Sequence, residues 1–321
     1  MTLNRRTFFA ASAALPLAGL AKPTFAAADK AEAQVNGIYR QKVGKFEITA
    51  LLDGHLPIGP ELINGYDEAK AAAALARQHR KPEPNGTLIP VTGYLINTGD
   101  KLIAVDCGTN DAMGPTLGGY HGALAAAGYS ADQVDMVIAT HLHLDHIGGL
   151  AAKDGTARFA NAELVSTASE WDFWYNDEIR ASVPDNFKGF FDIARFQTTP
   201  YAEKLTLAKT GAEIVPGIEI VDLPGHTPGH IGLHLRSEGE ELLIWGDIVH
   251  ATALQFDNPD WTIAFDTDAE QARATRLKVL DMVVTDNVPV AGMHLDFPGF
   301  GYVGKMGSAY RFDPMPWRYV L

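Results

Sequence analysis

Four side chains of the kinds that bind metal ions lie within six positions, in the segment His141-Leu142-His143-Leu144-Asp145-His146. Imidazole nitrogens and carboxylate oxygens are common ligands of zinc and related divalent ions. Crowding four such groups into one turn carries a desolvation cost that a bound cation offsets. The segment therefore predicts a metal site, and its side chains can serve two adjacent ions.

Three further candidate ligands follow along the chain, each after an apolar run of the kind that forms a buried strand. His226 lies in a loop rich in glycine and proline. Asp247 follows residues 242–246, and His294 follows residues 288–293. One histidine at the end of a strand is more often structural, but the whole set strengthens the prediction of a metal centre.

The elements that must position these residues are visible in the apolar pattern. Residues 134–139 predict a strand, and His141 and His143 can then leave its carboxyl end on the same side. The other expected elements are hairpins at 39–53 and 91–106, helices at 67–80, 117–127 and 268–284, and strands at 163–166, 213–215, 218–223, 231–235 and 242–245. Two sets of strands with helices between them predict an α+β fold, a four-layer αβ/βα sandwich with the metals at one edge between the sheets.

In residue type and in order along the chain, these motifs resemble the metallo-β-lactamase-fold hydrolases. The resemblance implies two metal sites and a bridging ligand: His141, His143 and His226; Asp145, His146 and His294; and Asp247. Zinc is the first expectation for the two divalent ions, and manganese, cobalt or iron would also suit this ligand set.

A turn upstream of the first segment also fits the family. In Ala104-Val105-Asp106-Cys107-Gly108, the resemblance implies that Asp106 supports the metal loop through hydrogen bonds. Cys107 is expected to be a small buried residue and not a ligand. The true zinc β-lactamases differ, because many of them have a cysteine at the position of Asp247.

The flanking segments are similar to the methyl parathion hydrolase branch of the family. They comprise residues 92–95, 114–118, 188–191, 254–257 and 294–301. Lactone-cleaving enzymes share the same fold and ligands, and many quorum-quenching lactonases have a tyrosine three residues after the bridging aspartate. This chain has His250 there, which puts acyl-homoserine lactonase activity in doubt without excluding other lactones or aryl esters.

The expected chemistry is hydrolysis. Two cations that share a water molecule lower its pKa to about 7, so a metal-bridging hydroxide is the expected nucleophile. One metal would polarise the P=O or C=O oxygen of the substrate. Asp247 would position the hydroxide and accept its proton, Asp145 completes the catalytic centre as a ligand, and His250 is a candidate for proton transfer.

Aromatic segments near the motifs indicate the substrate class. The expected apolar pocket for an aryl or alkyl group consists of Met113, Trp174, Phe190 and Phe265. No cluster of arginine or lysine lies near the motifs, so a small, neutral, lipophilic ester is expected. Organophosphate triesters of the methyl parathion type are the favoured substrates; the alternatives are a lactonase or arylesterase, and a non-catalytic metal-binding protein.

Composition sets the remaining expectations. The 321 residues are 46% hydrophobic with a net charge of −13 and no basic stripe, which excludes nucleic acid as a partner.

Residues 1–28 resemble a twin-arginine export signal, with Arg5 and Arg6 before a short apolar stretch. The sequence therefore predicts delivery by the twin-arginine machinery to the periplasm or exterior, no membrane anchor after cleavage, and one domain at 29–321. Related enzymes suggest a homodimer.

Overall fold

In a computed structural model that describes residues 28–32, 34–110 and 113–321, the chain forms two seven-stranded sheets and a two-stranded sheet. The strands are β1 (Ile38–Val43), β2 (Phe46–Ile58), β3 (Ile63–Asn64), β4 (Thr87–Asn97), β5 (Leu102–Val105), β6 (Met136–Ile138), β7 (Glu163–Thr167), β8 (Leu205–Ala208), β9 (Glu213–Val215), β10 (Ile218–Asp222), β11 (Ile231–Ser237), β12 (Glu240–Ile244), β13 (Thr262–Ile263), β14 (Val290–Ala291), β15 (Phe300–Met306) and β16 (Ala309–Pro314). The helices are α1 (Glu68–Arg77), α2 (Tyr120–Ala126), α3 (Leu144–Ile147), α4 (Ala168–Tyr175), α5 (Asp177–Ser182), α6 (Asp185–Thr198), α7 (Thr252–Gln255) and α8 (Ala269–Asp286).

The two large sheets have related strand orders. The first runs β1-β2-β4-β5-β6-β7-β8, and the second runs β16-β15-β14-β12-β11-β10-β9. In the first sheet β5 to β8 are parallel, so β5, β6 and β7 end at one edge. In the second, β12 and β14 are parallel and likewise end together. The ligand loops follow these strands, which explains why residues far apart in sequence meet.

Alternating side chains divide the core into layers. Ile48, Ile96 and Ile103 of the first sheet pack against Ile220 and Leu233 of the second, forming a core between the sheets. A second cluster lies on the other face of the first sheet, against α2, α4 and α6, and a third lies between the second sheet and α8. Helices therefore cover the outer face of each sheet, and the expected four-layer αβ/βα sandwich is confirmed.

Most predicted elements form, with shifted ends. The strand expected from Val91 begins at Thr87, and the helix expected from Leu117 begins at Tyr120. The α1 helix begins after Asp67, whose side chain accepts a hydrogen bond from Lys70 N as an N-cap. The hairpin of β15 and β16 was not predicted, because its alternating pattern follows the last ligand motif and carries several exposed residues.

Residues Asn36–Leu321 form one compact unit. The described residues before Asn36 contain neither helix nor strand. Within the described ranges, no helix combines the length and the apolar character that crossing a membrane requires. The expected export signal lies outside the described residues except for Ala28, so it stays a prediction.

Candidate metal centre

The loop after β6 carries the first four candidate ligands. His141 and His143 precede α3, and Asp145 and His146 lie within its single turn. Asp106, at the end of β5, accepts hydrogen bonds from the backbone N and the hydroxyl of Thr140, both at 2.8 Å. The role expected for Asp106 is thus confirmed, and its positive φ of 56° places it in the left-handed region that most residues avoid.

Three imidazole nitrogens converge to form the first ligand group. His141 Nε2 lies 2.9 Å from His143 Nδ1, which in turn lies 2.9 Å from His226 Nε2. All three histidines project from loops at the carboxyl ends of strands. They form one of the described clusters with the composition and spacing to hold a metal ion.

The second group lies beside the first, and Asp247 lies between them. His294 Nε2 is 3.4 Å from Asp145 Oδ2, and His146 Nε2 is 3.7 Å from the same oxygen. Asp247 Oδ2 is 3.3 Å from both His226 Nε2 and His294 Nε2, one histidine from each group. This is the position that a bridging carboxylate requires, so the seven expected ligands are brought together.

Hydrogen bonds to the second ring nitrogen orient most of these histidines. His146 Nδ1 lies 2.7 Å from Asp106 Oδ2, and His294 Nδ1 lies 2.8 Å from the carbonyl oxygen of Pro90. His226 Nδ1 lies 2.7 Å from Asp266 Oδ1. Such partners fix the tautomer, so that Nε2 presents its lone pair to a metal ion.

Carboxylates make the centre of the cluster favourable for positive charge. Burial by itself lowers the pKa of His226, but hydrogen bonds to Asp247 and Asp266 outweigh it and raise the pKa to about 9. Burial likewise lowers the pKa of His294, whereas the charge of Asp247 and the hydrogen bond to Asp145 raise it to about 10. A site that attracts protons this strongly will also attract a divalent cation once the protons leave.

Two buried atoms provide an independent test of whether metal ions fit. His146 Nε2 and Asp247 Oδ1 make no hydrogen bond within the described part of the chain. A buried polar atom without a partner costs free energy, which coordination to a metal ion would remove. With its imidazole and carboxylate donors, the cluster fits two divalent ions. One would be held by His141, His143 and His226, and the other by Asp145, His146 and His294.

His230, which the sequence analysis did not single out, joins two ligand loops. Its Nε2 accepts a hydrogen bond from Asp247 N at 2.9 Å, and its Nδ1 donates to Leu223 O at 2.8 Å. Burial lowers its pKa to about 3, so the ring is neutral, as this bonding requires. A Cβ at Gly246 would lie 2.3 Å from His230 Nε2, and the positive φ of 57° also favours glycine there.

A cavity of about 270 Å³ opens above the ligands. Met113, Phe190 and Phe265 line it, together with His250 and ligands from both groups. The remaining walls are apolar: Leu56, Pro57, Ile58, Leu62, Ile89 and Leu144. Three of the four expected pocket residues therefore lie over the centre.

Trp174, the fourth, lines a neighbouring cavity of about 330 Å³. That cavity shares His143, Phe190 and Phe265 with the first. The rings of Phe190 and Phe265 meet edge to face, 6.5 Å apart, and form a partition. Trp174 contacts the centre through His143, since the two rings lie edge to face at 5.4 Å.

His250 lies against the bridging carboxylate. Its Nε2 is 3.2 Å from Asp247 Oδ2, and its ring stacks on that of His294 at 5.3 Å. Its Nδ1 is buried and has no hydrogen-bond partner among the described residues. Burial lowers the pKa of His250 to about 4, which leaves a neutral ring.

Asp266 and Glu170 are further residues that the sequence analysis missed. Each is an acidic residue beside an aromatic one, Phe265 or Trp171. An acid within an apolar segment is the signal that could have identified them, because burying a carboxylate requires compensating donors.

Residues 86–294, which contain all seven ligands, match the sequence model of the metallo-beta-lactamase superfamily. The chain belongs to the metallo-β-lactamase superfamily. Within it, the chain is 32% identical to a solved structure described as hydrolase AbOPH of the beta lactamase superfamily, with a TM-score of 0.84 over 89% of this chain and 100% of that one. The dizinc quorum-quenching lactonase AidC has the same fold, with a TM-score of 0.81 over 88% of this chain and 99% of that one, at 24% identity.

An N-acyl homoserine lactonase from Bacillus sp. is 23% identical over 60% of this chain and 77% of its own length. Membership of the metallo-β-lactamase superfamily, together with these relatives, confirms the expected enzyme class, a metal-dependent hydrolase. The His and Asp clusters and the dizinc relative support two divalent ions.

Proposed function

We propose that this enzyme is a lactonase that opens neutral, lipophilic lactones. The observation that carries the proposal is the cavity above the centre. Apart from the ligands and His250, its described lining is apolar. Its described lining contains no lysine or arginine that could pair with an anionic substrate, whereas a lactone with an apolar substituent could bury that substituent.

The relatives favour lactones over the phosphotriesters that the sequence analysis favoured. An N-acyl homoserine lactonase and a dizinc quorum-quenching lactonase are both among them. His250, where many such lactonases have tyrosine, can still exchange a proton. A histidine at this position is therefore compatible with lactone hydrolysis. The finer resemblance to methyl parathion hydrolase stays a prediction, with phosphotriester cleavage as a side reaction.

When bound, two divalent ions would supply a water of lowered pKa and polarise the lactone carbonyl. Asp247 Oδ1, buried and without a partner in the described chain, orients the attacking oxygen. That oxygen adds to the carbonyl carbon, and the ring C–O bond breaks. The proton that water loses ends on the released ring oxygen, which gives a hydroxy acid. We infer that His250 carries this proton, because its ring is neutral and adjoins Asp247.

The test compares initial rates of the metal-loaded protein on four neutral substrates. N-hexanoyl homoserine lactone and dihydrocoumarin are the lactones; a p-nitrophenyl carboxylic ester and a p-nitrophenyl dialkyl phosphotriester are the rivals with matched leaving groups. We expect kcat/KM to be highest for a lactone. A value for the phosphotriester equal to or above both lactones would overturn the proposal in favour of the methyl parathion hydrolase assignment.

A further inference from the structure

Glu170 is a fully buried carboxylate in the first turn of α4, and hydrogen-bond donors surround it. Its Oε1 accepts from Leu142 N at 2.9 Å and from Trp174 Nε1 at 2.6 Å. Its Oε2 accepts from Thr227 Oγ1 at 2.6 Å and from Gly229 N at 3.1 Å. Two backbone amides and an indole can only donate, so the carboxylate is held by bonds that an amide or an apolar residue could not all accept.

Three of these four donors belong to the loops that build one metal site. Leu142 lies between His141 and His143, and Thr227 directly follows His226. Each of the three histidines is therefore one residue away from a group that Glu170 holds. A single side chain thus connects the loop after β6 with the loop between β10 and β11.

The contact between α4 and the second loop is close enough to require glycine. A Cβ on Gly229 would lie 2.2 Å from Glu170 N and 2.5 Å from Thr167 Oγ1. Thr167 Oγ1 also donates to Gly229 O at 3.0 Å. The loop that carries His226 is therefore seated directly on the start of the helix.

The fourth donor extends the connection to the substrate cavities. Trp174 lies one turn after Glu170 on α4, and its ring contacts His143 edge to face. It also lines the second cavity, beside Phe190. The carboxylate that holds the histidine loops therefore also fixes the orientation of a cavity wall.

We propose that Glu170 is a positioning residue. It fixes the position of the His141, His143 and His226 site relative to the ring of Trp174. Metal affinity at that one site and recognition of the substrate then depend on the same carboxylate. The proposal does not depend on the identity of the substrate, because the metal readout needs none.

The principal test is Glu170→Gln, which keeps the size of the side chain but turns an amide NH₂ towards two of the donors. We expect one of the two metal equivalents to bind about 10- to 100-fold more weakly, as is usual when a partner behind the ligands is lost. The other equivalent should keep its affinity. Competition titration with a chromophoric chelator, using zinc as the probe, measures both.

Asp172→Asn is the matched control. Asp172 is exposed on the same helix, so this variant loses the same charge without touching either ligand loop. Both zinc affinities and the melting temperature should equal those of the parent. If Glu170→Gln lowers the melting temperature of the metal-free protein but keeps both zinc affinities and KM, Glu170 is only structural and the proposal fails.

Two milder variants keep the test decisive if Glu170→Gln does not fold. Thr227→Val removes a donor on the metal side, and we expect it to weaken one zinc equivalent. Trp174→Phe removes the donor on the cavity side, and we expect it to raise KM for whichever substrate the parent turns over. Zinc affinity and KM are measured in both single variants and in the double variant. In the double variant, the change in each quantity should differ from the sum of the two single changes, because both residues act through one carboxylate. Changes that add fully, or single variants that change neither zinc affinity nor KM, would refute the coupling.

Discussion

His226 Nδ1 lies 2.7 Å from Oδ1 of Asp266, a residue 40 positions further along the chain. The Asp266 side chain is fully buried, and its other oxygen accepts a hydrogen bond from Ile263 N at 2.9 Å. Asp266 therefore fixes the ring that presents Nε2 to the metal centre. Because the preceding Phe265 lines both cavities, the same short segment serves the metal and the substrate.

Replacing Asp266 by Asn should weaken metal binding by about 10- to 100-fold, because both carboxylate oxygens accept hydrogen bonds and the NH₂ of Asn must face either His226 Nδ1 or Ile263 N. Metal content after dialysis and kcat/KM are the measurements. Glu270→Gln, an exposed charge loss at the start of α8, is the control. If the Asn variant retains metal and turnover like the control, Asp266 does not support the ligand.

Replacing Asp247 by Asn should lower kcat/KM by more than about 100-fold, because a bridging ligand and the group that orients the nucleophile are both lost. The fold should persist, since the histidines and their outer partners remain. Metal analysis, far-UV circular dichroism and initial rates together separate the two effects. Parental turnover in this variant would remove Asp247 from the mechanism.

His250→Phe tests proton transfer. The variant keeps an aromatic ring that can stack on His294 but has no ring nitrogen. We expect kcat to fall by about 10²-fold or more, the usual contribution of a general acid or base, with two metal ions still bound. An unchanged kcat would make His250 a bystander beside Asp247.

The metal-free protein should lose stability as the pH rises above about 6.5, the pKa of an unperturbed histidine. The folded-state pKa values of His226 and His294 are raised, to about 9 and about 10, against opposing burial. Their stabilisation is therefore complete below the unfolded pKa and disappears as the pH rises through the folded values. Burial lowers the pKa of other histidines, such as His141, so these residues change the stability only at pH values below this window.

Melting temperatures at pH 6.5 to 10, with chelator-treated and metal-loaded protein, test this expectation. The metal-loaded protein should not show the decline, because metal ions replace the protons. Metal binding at pH 7.5 should also release protons, which calorimetry in buffers of different ionisation enthalpy detects. A flat profile for the metal-free protein, or no proton release, would contradict the protonation expected at His226 and His294.

Phe190→Ala should open the partition between the two cavities. The ratio of kcat/KM for a long-chain over a short-chain acyl lactone should then rise on the order of tenfold, because the longer chain gains apolar contacts. Phe196→Ala is the control, since Phe196 lies exposed on the same helix outside both cavities. An equal ratio in both variants would mean that Phe190 does not separate the cavities during catalysis.

The metal ligands could be predicted because their signal is local. Each ligand motif follows an apolar run that forms a strand, so residue type and order were enough for His141, His226 and Asp247. The same local patterns predicted the layered fold and the helices α1, α2 and α8. Element ends were less certain, as at Tyr120, because tertiary contacts decide where a helix begins.

Sequence alone therefore determined the chemistry of this protein: its family, its seven candidate ligands and its hydrolase class. Only the tertiary structure decided that Glu170 holds two ligand loops, that Asp266 orients His226, and that Trp174 lines the second cavity. The physical reason is the distance along the chain. Ligand type and strand ends are encoded within a few residues, whereas these contacts exist only once the packed sheets and helices bring distant segments together.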